Sequence, residues 1–369
     1  MKPVVLVLSS VHRPDDTRIR ERLIRTLAGD FEVEYATRTP GPSDITGLQW
    51  LPLRGGRAVR WFRALGIVMR RRWDILVLHD PETVPIGLLA RMLKRRPVVF
   101  DVHEDIPATA LTRPWVPGPL RWPLAVLSKW VLGFAERFLT ITLAEPGYSY
   151  LFAQKHEVFP NYPDTSAYPE PERESRREVI HVGDVTMVRG LDTAIEACAL
   201  AEMPLRLVGP VSSSVRTELS NLARARSGEV LFEGPRPNPE AMRIAAGAAV
   251  AIVPWKDLPN YRKSMPTKLF EYLSLGVPVV ASDLPGIRQA GVENLAVVLV
   301  EPENPSAMAA GIIEALDGDL RARAAVDIAM VRNRYRWPDR DVTEFYLALS
   351  GRGGTRDPNS NASLPGPEV

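Results

Sequence analysis

The feature that most constrains this chain is a repeat of short apolar runs, each separated from the next by a segment of helical pattern. The runs in the first half are VVLVLSS, FEVEYAT, DILVLHD, PVVFDVH and RFLTITL, and those after residue 177 are EVIHVGD, LRLVGP, EVLFEGP, VAIVPW, PVVAS and AVVLV. Continuous apolar strands that alternate with helices are typical of parallel sheets covered on both faces. The pattern therefore predicts an α/β protein with two doubly wound sheets.

The two sets of strands are separated by PNYPDTSAYPEPERESRR, a stretch rich in proline and charge that predicts a linker. We therefore expect two Rossmann-like domains, 1–160 and 178–334, joined by a linker at 161–177, with a ligand cleft between the carboxyl ends of their sheets. A helix is expected at 335–350. Residues 351–369 are rich in Gly, Pro, Ser and Asn and are expected to be disordered.

The charge is small overall and unevenly placed. The net charge is +2, which demands no nucleic-acid partner, but residues 1–160 carry 23 Lys and Arg against 16 Asp and Glu. An anionic partner and a merely solvated arginine excess both account for this difference. The chain has one cysteine, Cys198, and no apolar run of the about 18 residues that a membrane span needs. These features favour the cytoplasm.

Polar side chains follow the predicted strands of the first half where each strand ends. Asp15 or Asp16 can cap the helix after the first strand, and two histidines follow later strands. Histidines and carboxylates can bind metal, but no helical pair of ligands is present, and capping and turn chemistry explain most of the carboxylates. We expect no metal site. The candidate acceptor-side residues are Asp16, Arg18, His79, His103 and Glu104.

In the second half, IHVGDVTMVRGLDTAIEA predicts a phosphate site. Gly183 ends a strand, and Arg189 with Gly190 opens a helix. Free backbone N–H groups, the positive end of a helix and a guanidinium all favour a phosphate. The segment contains neither the Gly-Lys-Ser/Thr of a P-loop nor a G-x-G-x-x-G fingerprint.

The segment SMPTKLFEYLSLGVPVVASD predicts a short helix followed by a buried strand. Pro266 suits the first turn, and Gly276 suits a left-handed end. Lys268 and Glu271 are three residues apart and share one side of the helix. Two interpretations stay open: a surface ion pair, or a lysine for a diphosphate beside a carboxylate for two ribose hydroxyls.

Several segments resemble GT-B glycosyltransferases of the family 4 type, the glycosyl transferases group 1. PTKLFEYLSLGVPVVASDLPGIRQ resembles their nucleotide-sugar motif, and HRPDDTRIRERLIRTL, LHDPETVPIGLLAR, VVFDVHEDIP, FPNYPD, HVGDVTMVRGLDTAIEA and YRWPDRDVTEFYLAL resemble other family segments in the expected order. The resemblance implies the GT-B fold, a C-terminal helix that crosses back to the first domain, and sugar transfer from a nucleotide-diphosphate donor with retention at the anomeric carbon.

The resemblance also implies roles for single residues. Glu271 would bind ribose, Arg189 the diphosphate, and His103 would line the sugar and acceptor site. With Lys268, Arg189 would stabilise the leaving diphosphate, so that no metal or other cofactor is expected. Lys263 stands where the family has the first glutamate of a pair. This difference affects which donor sugar the protein is expected to bind. The expected donor-binding residues are Glu271, Arg189, Lys268, Thr267, Gly183 and Lys263, and the expected catalytic residues are His103, Arg189 and Lys268.

Two alternative functions stay open at this point. One is a sugar-nucleotide epimerase, which is another enzyme of the GT-B fold. The other is a non-catalytic subunit that binds a sugar nucleotide, which the lysine at position 263 motivates.

The acceptor leaves little trace in the sequence. Residues 54–73 form a basic amphipathic pattern with Trp61 and Phe62, and a later apolar segment adds Trp115, Trp122 and Trp130. Such segments suit an anionic membrane surface and a lipid-linked acceptor. They equally suit packed helices whose arginines extend to water. We expect peripheral contact with the inner membrane face.

Overall fold

The computed structural model describes residues 2–42, 44–112, 116–166, 168–170 and 176–352. Contacts divide the chain into two units: one holds the residues up to Asn161 and those from Trp337 onward, and the other holds Tyr162–Arg336. Trp115, part of the expected linker and the expected disordered tail beyond Arg352 lie outside the described residues.

The first unit contains a seven-stranded sheet in which every neighbouring pair is parallel. Its order is β3-β2-β1-β4-β5-β6-β7. The strands are β1 (Val4–Leu8), β2 (Glu32–Thr37), β3 (Leu48–Pro52), β4 (Ile75–Leu78), β5 (Val98–Val102), β6 (Thr140–Leu143) and β7 (Glu157–Val158). The sequence did not predict β3 and β7. Both are edge strands, which need no continuous apolar run because one side has no neighbour.

The second unit contains a six-stranded parallel sheet of order β10-β9-β8-β11-β12-β13. Its strands are β8 (Arg176–Val182), β9 (Leu205–Val208), β10 (Val230–Gly234), β11 (Ala248–Val253), β12 (Val279–Ser282) and β13 (Val297–Val300). The strand β8 takes up the last two residues of the stretch expected to be linker. The prediction of two doubly wound parallel sheets is confirmed.

Helices return the chain between successive strands. A π-helical segment, Thr17–Ile24, continues into α1 (Arg25–Leu27). The further helices are α2 (Arg57–Arg70), α3 (Val84–Lys94), α4 (Ile106–Thr112), α5 (Gly118–Glu136), α6 (Leu191–Leu200), α7 (Ser213–Ala225), α8 (Asn238–Ala246), α9 (Thr267–Ser274), α10 (Pro285–Gln289), α11 (Pro305–Ala315), α12 (Gly318–Arg334) and α13 (Asp339–Leu349). Across the described part of the chain, no helix combines the length and apolarity that crossing a membrane requires.

The first sheet is covered on both faces because successive side chains of a strand point to opposite sides. Along β1, Val5 and Val7 join a core with the helical segment 17–27 and with α13. The neighbouring residues Leu6 and Leu8 join the opposite core, against α2, α3 and α5. These three helices therefore share one face of the first sheet.

The second sheet is built in the same way. Helices α8, α9 and α12 supply the core on one face, and α6, α7 and α11 supply the core on the other. Its site-bearing helix α9 is thus enclosed by neighbours, and six of its eight residues are buried.

A buried ion pair ties the first helical segment to the sheet. The Arg18 guanidinium donates to both carboxylate oxygens of Asp101, at 2.8 and 2.7 Å, and to the carbonyl oxygen of Phe159 at 3.0 Å. Thr142 donates to the same carboxylate at 3.0 Å. Burial alone would raise the pKa of Asp101, but the charge and hydrogen bonds of Arg18 hold it well below its usual 3.8. Four separate segments therefore meet at this ion pair.

We predict that Asp101→Asn lowers the free energy of unfolding by about 3–5 kcal/mol, because the Arg18 charge stays buried without its partner. Urea denaturation at neutral pH measures the change. Asp257→Asn is the matched control, since it breaks the exposed pair with Arg262 and should leave the midpoint nearly unchanged. Equally small shifts for both variants would show that the buried pair does not hold the unit together.

Candidate functional site

Each sheet has one point at which the strand order reverses. It lies between β1 and β4 in the first sheet and between β8 and β11 in the second. Open parallel sheets bind ligands outside the carboxyl ends of their strands at such switch points. The two switch points are therefore the places where functional side chains are expected.

Helix α9 is fastened to the second switch point by a hydrogen bond. The backbone N–H of Val182, the last residue of β8, donates to the Tyr272 hydroxyl at 2.7 Å. Pro266 immediately precedes the helix, and Gly276 follows it with a φ of 70°. The left-handed end predicted at Gly276 is confirmed, because this φ favours glycine.

Lys268 and Glu271 form an ion pair on α9, with Nζ 2.5 Å from Oε2. The Glu271 carboxylate is only 2% exposed, and Asn238 donates to its other oxygen at 3.3 Å. The interpretation of a surface ion pair is therefore wrong: α9 lies among other helices, and a buried carboxylate needs a charged partner. The Lys268 side chain, by contrast, is 30% exposed, so it can still reach a ligand.

The pKa of a buried histidine is lowered by nearby cations. His181, near the end of β8, is 5% exposed, and its pKa falls to about 4. Burial is the largest cause, and the positive charges of Arg189 and Lys268 add to it. Arg189 and Lys268 thus act on the same side chain from different segments, and His181 is neutral at physiological pH.

Aromatic rings hold the Arg189 guanidinium. It lies 5.2 Å from the centroid of the Trp255 ring and 5.4 Å from that of Tyr261, and these two rings stack on each other. Trp255 follows β11, so the arginine reaches across the switch point from the β8 side. A cation over aromatic faces keeps its charge and its donors for an anion.

Glycines allow the close approach of the backbone segments at this point. Gly190 precedes α6 with a φ of 77°, and a Cβ placed there would lie 1.8 Å from the carbonyl oxygen of Pro254. Gly183 follows β8 with a φ of 143°. Both positions therefore favour glycine, because other residues rarely adopt these φ values.

Two further predicted donor-binding residues lie at the start of α9 and in the turn before it. Thr267 is the first residue of α9, and Lys263 lies in the turn before it; both are half-buried. A Cβ at Gly286 would lie 2.7 Å from the Lys263 carbonyl carbon, so α10 packs closely against this turn.

At the first switch point, Asp80 holds the loop after β1. Its carboxylate accepts from the backbone N–H groups of Ser10, at 2.5 Å, and Val11, at 3.3 Å. Its other oxygen is 2.8 Å from Nδ1 of His12. Sequence reasoning missed His12, a single histidine in a loop without periodic pattern; only its position just after a predicted strand end signals a role.

His12 continues the chain of contacts to His103. The two Nε2 atoms are 3.0 Å apart, and Nδ1 of His103 is 3.2 Å from the carbonyl oxygen of Asp101. A protonated His12 that donates to Asp80 and to a neutral His103 satisfies every contact, with His103 donating to the carbonyl. The reverse arrangement, with the proton on His103, would satisfy the same contacts, but the Asp80 carboxylate lies directly against His12 and favours the proton there.

The pKa shifts agree with this assignment. Burial lowers the pKa of His12, but the hydrogen bond and charge of Asp80 outweigh it and raise the value above 6.5. Burial raises the pKa of Asp80, but its contacts with His12 and with the backbone N–H of Ser10 bring the pKa down to about 2. Burial and then the His12 charge lower the pKa of His103. An imidazolium and a neutral imidazole therefore lie side by side.

The other predicted acceptor-side residues occupy different surroundings. Asp16 caps the first helical segment, accepting from the N–H groups of Arg18 and Ile19 at 3.0 Å each. Arg18 lies in the buried pair with Asp101, and His79, 1% exposed, has Nδ1 3.3 Å from that carboxylate. Glu104 is half-buried beside His103, and its charge also raises the pKa of His12.

One group of side chains has the spacing of a metal site. Ligand atoms of His79, Asp101 and His103 lie within 4.8 Å of one another. Both carboxylate oxygens of Asp101 already accept from Arg18. The guanidinium therefore supplies the positive charge that a cation would bring.

Comparison with known families identifies the class of protein. Residues 4–161 match the family described as "Glycosyl transferase 4-like domain", and residues 176–318 match "Glycosyl transferases group 1". The chain belongs to the group 1 glycosyltransferases of GT-B type.

The relatives agree with this class. The D-inositol 3-phosphate glycosyltransferase of Acidothermus cellulolyticus is 27% identical over 299 residues, which are 72% of this chain and 64% of the relative. The match therefore spans slightly less than two thirds of that relative's length.

Solved structures share the fold at low identity. Sucrose-phosphate synthase from Thermosynechococcus elongatus superposes with a TM-score of 0.78 at 15% identity, covering 95% of this chain and all of the other. Anabaena HepE, solved in complex with UDP and glucose, gives 0.72 at 14% identity, with the same coverage.

We predict that the stabilising contribution of His12 depends on pH. A raised folded-state pKa contributes stability below the unfolded value of 6.5, and this contribution is lost as pH rises through the folded value. The gap in unfolding free energy between wild type and His12→Asn should therefore be larger at about pH 5.5 than at about pH 9. Urea denaturation at both pH values measures it, with Asp257→Asn as the control that should show no such trend. A gap that stays constant would contradict the proton assignment.

Proposed function

We propose that this protein transfers a sugar from a nucleotide-diphosphate donor to an acceptor hydroxyl, with retention at the anomeric carbon. The observation that carries the proposal is a pair of cations at the second switch point, Arg189 and Lys268, whose charges both lower the pKa of His181. The Lys268 Nζ atom also lies 2.5 Å from the Glu271 carboxylate. Two cations suit a diphosphate, and the carboxylate suits adjacent ribose hydroxyls. The UDP complex of a protein with the same fold supports this choice.

The chemistry requires stabilisation of negative charge. As the bond between the sugar and the diphosphate breaks, charge grows on the leaving oxygen, and fixed cations lower the energy of that state. Arg189 and Lys268 fill this role in the proposal. The acceptor oxygen attacks from the side of the leaving group, and its proton passes to the leaving diphosphate, so that neither a covalent intermediate nor a metal is required.

Donor choice and acceptor binding involve further residues in the proposal. Thr267, Gly183 and Lys263 complete the donor site, and the lysine at 263 affects which sugar is accepted. On the acceptor side, His103 contacts the substrate, and Asp16, Arg18, His79 and Glu104 shape its surroundings.

The proposal places the protein in the cytoplasm at the inner membrane face, with a lipid-linked acceptor. Its free thiol, Cys198, is buried, which suits a reducing compartment. Helix α2 lies within the basic segment 54–73, where Phe62 is 67% exposed and Trp61 is half-buried, with its indole N–H donating to the carbonyl oxygen of Glu82 at 2.9 Å. This segment supplies contact with anionic lipid.

A panel of nucleotide sugars tests the proposal. We expect release of nucleoside diphosphate from one donor by slow hydrolysis, and the rate should persist in EDTA. Formation of an epimer would indicate an epimerase instead, and binding without turnover would indicate a non-catalytic subunit. Loss of release in EDTA, restored by Mg²⁺ or Mn²⁺, would refute metal independence.

We predict that Arg189→Ala and Lys268→Ala each weaken nucleoside-diphosphate binding by about tenfold or more, because a charge-assisted hydrogen bond contributes about 1.5–3 kcal/mol. The free nucleoside should bind almost as before. Calorimetry with both ligands measures the difference. Arg216→Ala, which removes a guanidinium over the Phe232 ring elsewhere in the unit, is the control. Equal losses for diphosphate and nucleoside would show that the two cations do not contact phosphate.

We predict that Glu271→Gln raises the dissociation constant of the ribonucleotide by about tenfold, or 1.4 kcal/mol, because the amide lacks the charge and one acceptor. The variant should also lose about 1–3 kcal/mol of stability, since the carboxylate is buried, so its thermal unfolding is measured first. A 2′-deoxynucleotide should bind wild type poorly and lose less on mutation. If wild type binds ribose and deoxyribose nucleotides alike, the ribose assignment to Glu271 fails.

A further inference from the structure

Helix α5 exposes an unusual amount of apolar surface. Only three of its 19 residues, Ala125, Leu132 and Ala135, are buried. Seven of the 21 large apolar side chains that the described chain exposes lie on this one helix. We call them the α5 face: Leu120, Trp122, Leu124, Val126, Leu127, Trp130 and Phe134. Such a concentration of exposed large apolar side chains on one helix is typical of an interaction site.

On this side of the first sheet, basic residues far outnumber acidic ones. The three helices on this side of the first sheet, α2, α3 and α5, contain eight basic residues. These are Arg57, Arg60, Arg63, Arg70, Arg91, Lys94, Arg121 and Lys129. The helices contain one acidic residue, Glu136, whose side chain is 6% exposed and bonded to His156 and two backbone N–H groups. Glu136 therefore does not offset the positive charge at the surface.

Most of the positive charge is not neutralised within the protein. Arg60, Arg63, Lys94 and Arg121 donate to backbone carbonyl oxygens, which carry no net charge. Arg57 differs, because it pairs with Glu82. Arg91 and Lys129 are exposed. An anionic partner would therefore find uncompensated basic side chains on the same side of the sheet as the α5 face.

We propose that the α5 face lies in the interfacial layer of an anionic lipid bilayer. Trp122 and Trp130, 70% and 75% exposed, would sit at the level of the headgroups, where tryptophan is enriched. The surrounding Lys and Arg side chains would bind anionic headgroups. This inference rests on the membrane contact proposed above and moves its apolar part from α2 to α5.

The α5 face suits lipid better than a second copy of this chain. Two identical faces would bring eight basic residues against eight, and like charges across an interface oppose binding. Helix α2 alone is a weaker anchor, because the Trp61 N–H is bonded to a backbone carbonyl and Phe62 and Val59 are its exposed large apolar side chains. We therefore assign the apolar contact to α5 and part of the basic contact to α2.

Vesicle sedimentation of the full chain tests the inference, without donor or acceptor, so that its result is independent of sugar transfer. The vesicles are phosphatidylcholine alone and phosphatidylcholine with phosphatidylglycerol. We expect binding to the anionic vesicles at about 0.01 M salt and much less at about 1 M, where the Debye length falls from about 30 Å to about 3 Å.

Variants separate the two parts of the surface. Trp122→Ser with Trp130→Ser should weaken binding by about tenfold or more because it removes the interfacial anchors. Arg91→Gln with Lys129→Gln should weaken binding to anionic vesicles by about tenfold at low salt. The control, Ile313→Ser with Val326→Ser, removes exposed apolar side chains of the second unit and should bind as wild type does.

Three results would overturn the inference. These are no binding of wild type to anionic vesicles at low salt, unchanged binding of the double tryptophan variant, and a dimer in sedimentation equilibrium without lipid that this variant converts to a monomer. The last result would assign the α5 face to a second copy of the chain.

Discussion

Parallel strand pairing is the constraint on which the rest of this structure depends. Every ladder in both sheets is parallel, so each strand must be followed by a crossover, and all carboxyl ends within a sheet meet at one edge. This is why residues far apart in sequence come together. His12, Asp80 and His103 follow three different strands of the first sheet, yet they form one chain of contacts. In the second sheet, Tyr272 reaches Val182 across 90 positions. Both groups of contacts join residues from separate segments of the sequence.

Three buried carboxylates, Asp101, Asp80 and Glu271, are each paired with a cation, and these cations differ in access to water. Arg18, which pairs with Asp101, is as buried as its partner, and it fastens the fold. His12 beside Asp80 is partly accessible, with 28% of its side chain exposed, and Lys268 beside Glu271 is similar at 30%. A cation that is half in solvent can bind a further anion without leaving its carboxylate. The degree of burial therefore separates the pair that stabilises the fold from those suited to a ligand.

The sequence predicted what local patterns determine. Central strands are recognisable because both of their faces are buried, and Gly276 is recognisable because a helix followed at once by a strand needs a left-handed residue. The edge strands β3 and β7 escaped prediction because a strand with one neighbour carries a weaker apolar signal. For Glu271 the sequence also left a surface ion pair open, because the enclosure of α9 by other helices is a tertiary property. His12 was missed for the same reason: its partners, Asp80 and His103, are 68 and 91 positions away. Burial and pairing of charges are thus the parts of the site that a single sequence does not reveal.

The neutrality of His181 has a consequence for how the second switch point would respond to its surroundings. With a pKa of about 4, this imidazole carries no charge across the pH range of living cells, and arginine never loses its proton there. The local positive potential set by Arg189 therefore does not vary with modest acidification. Ionic strength is different, because dissolved salt screens accessible charges at any pH. The site would sense the salt content of its compartment far more than its acidity.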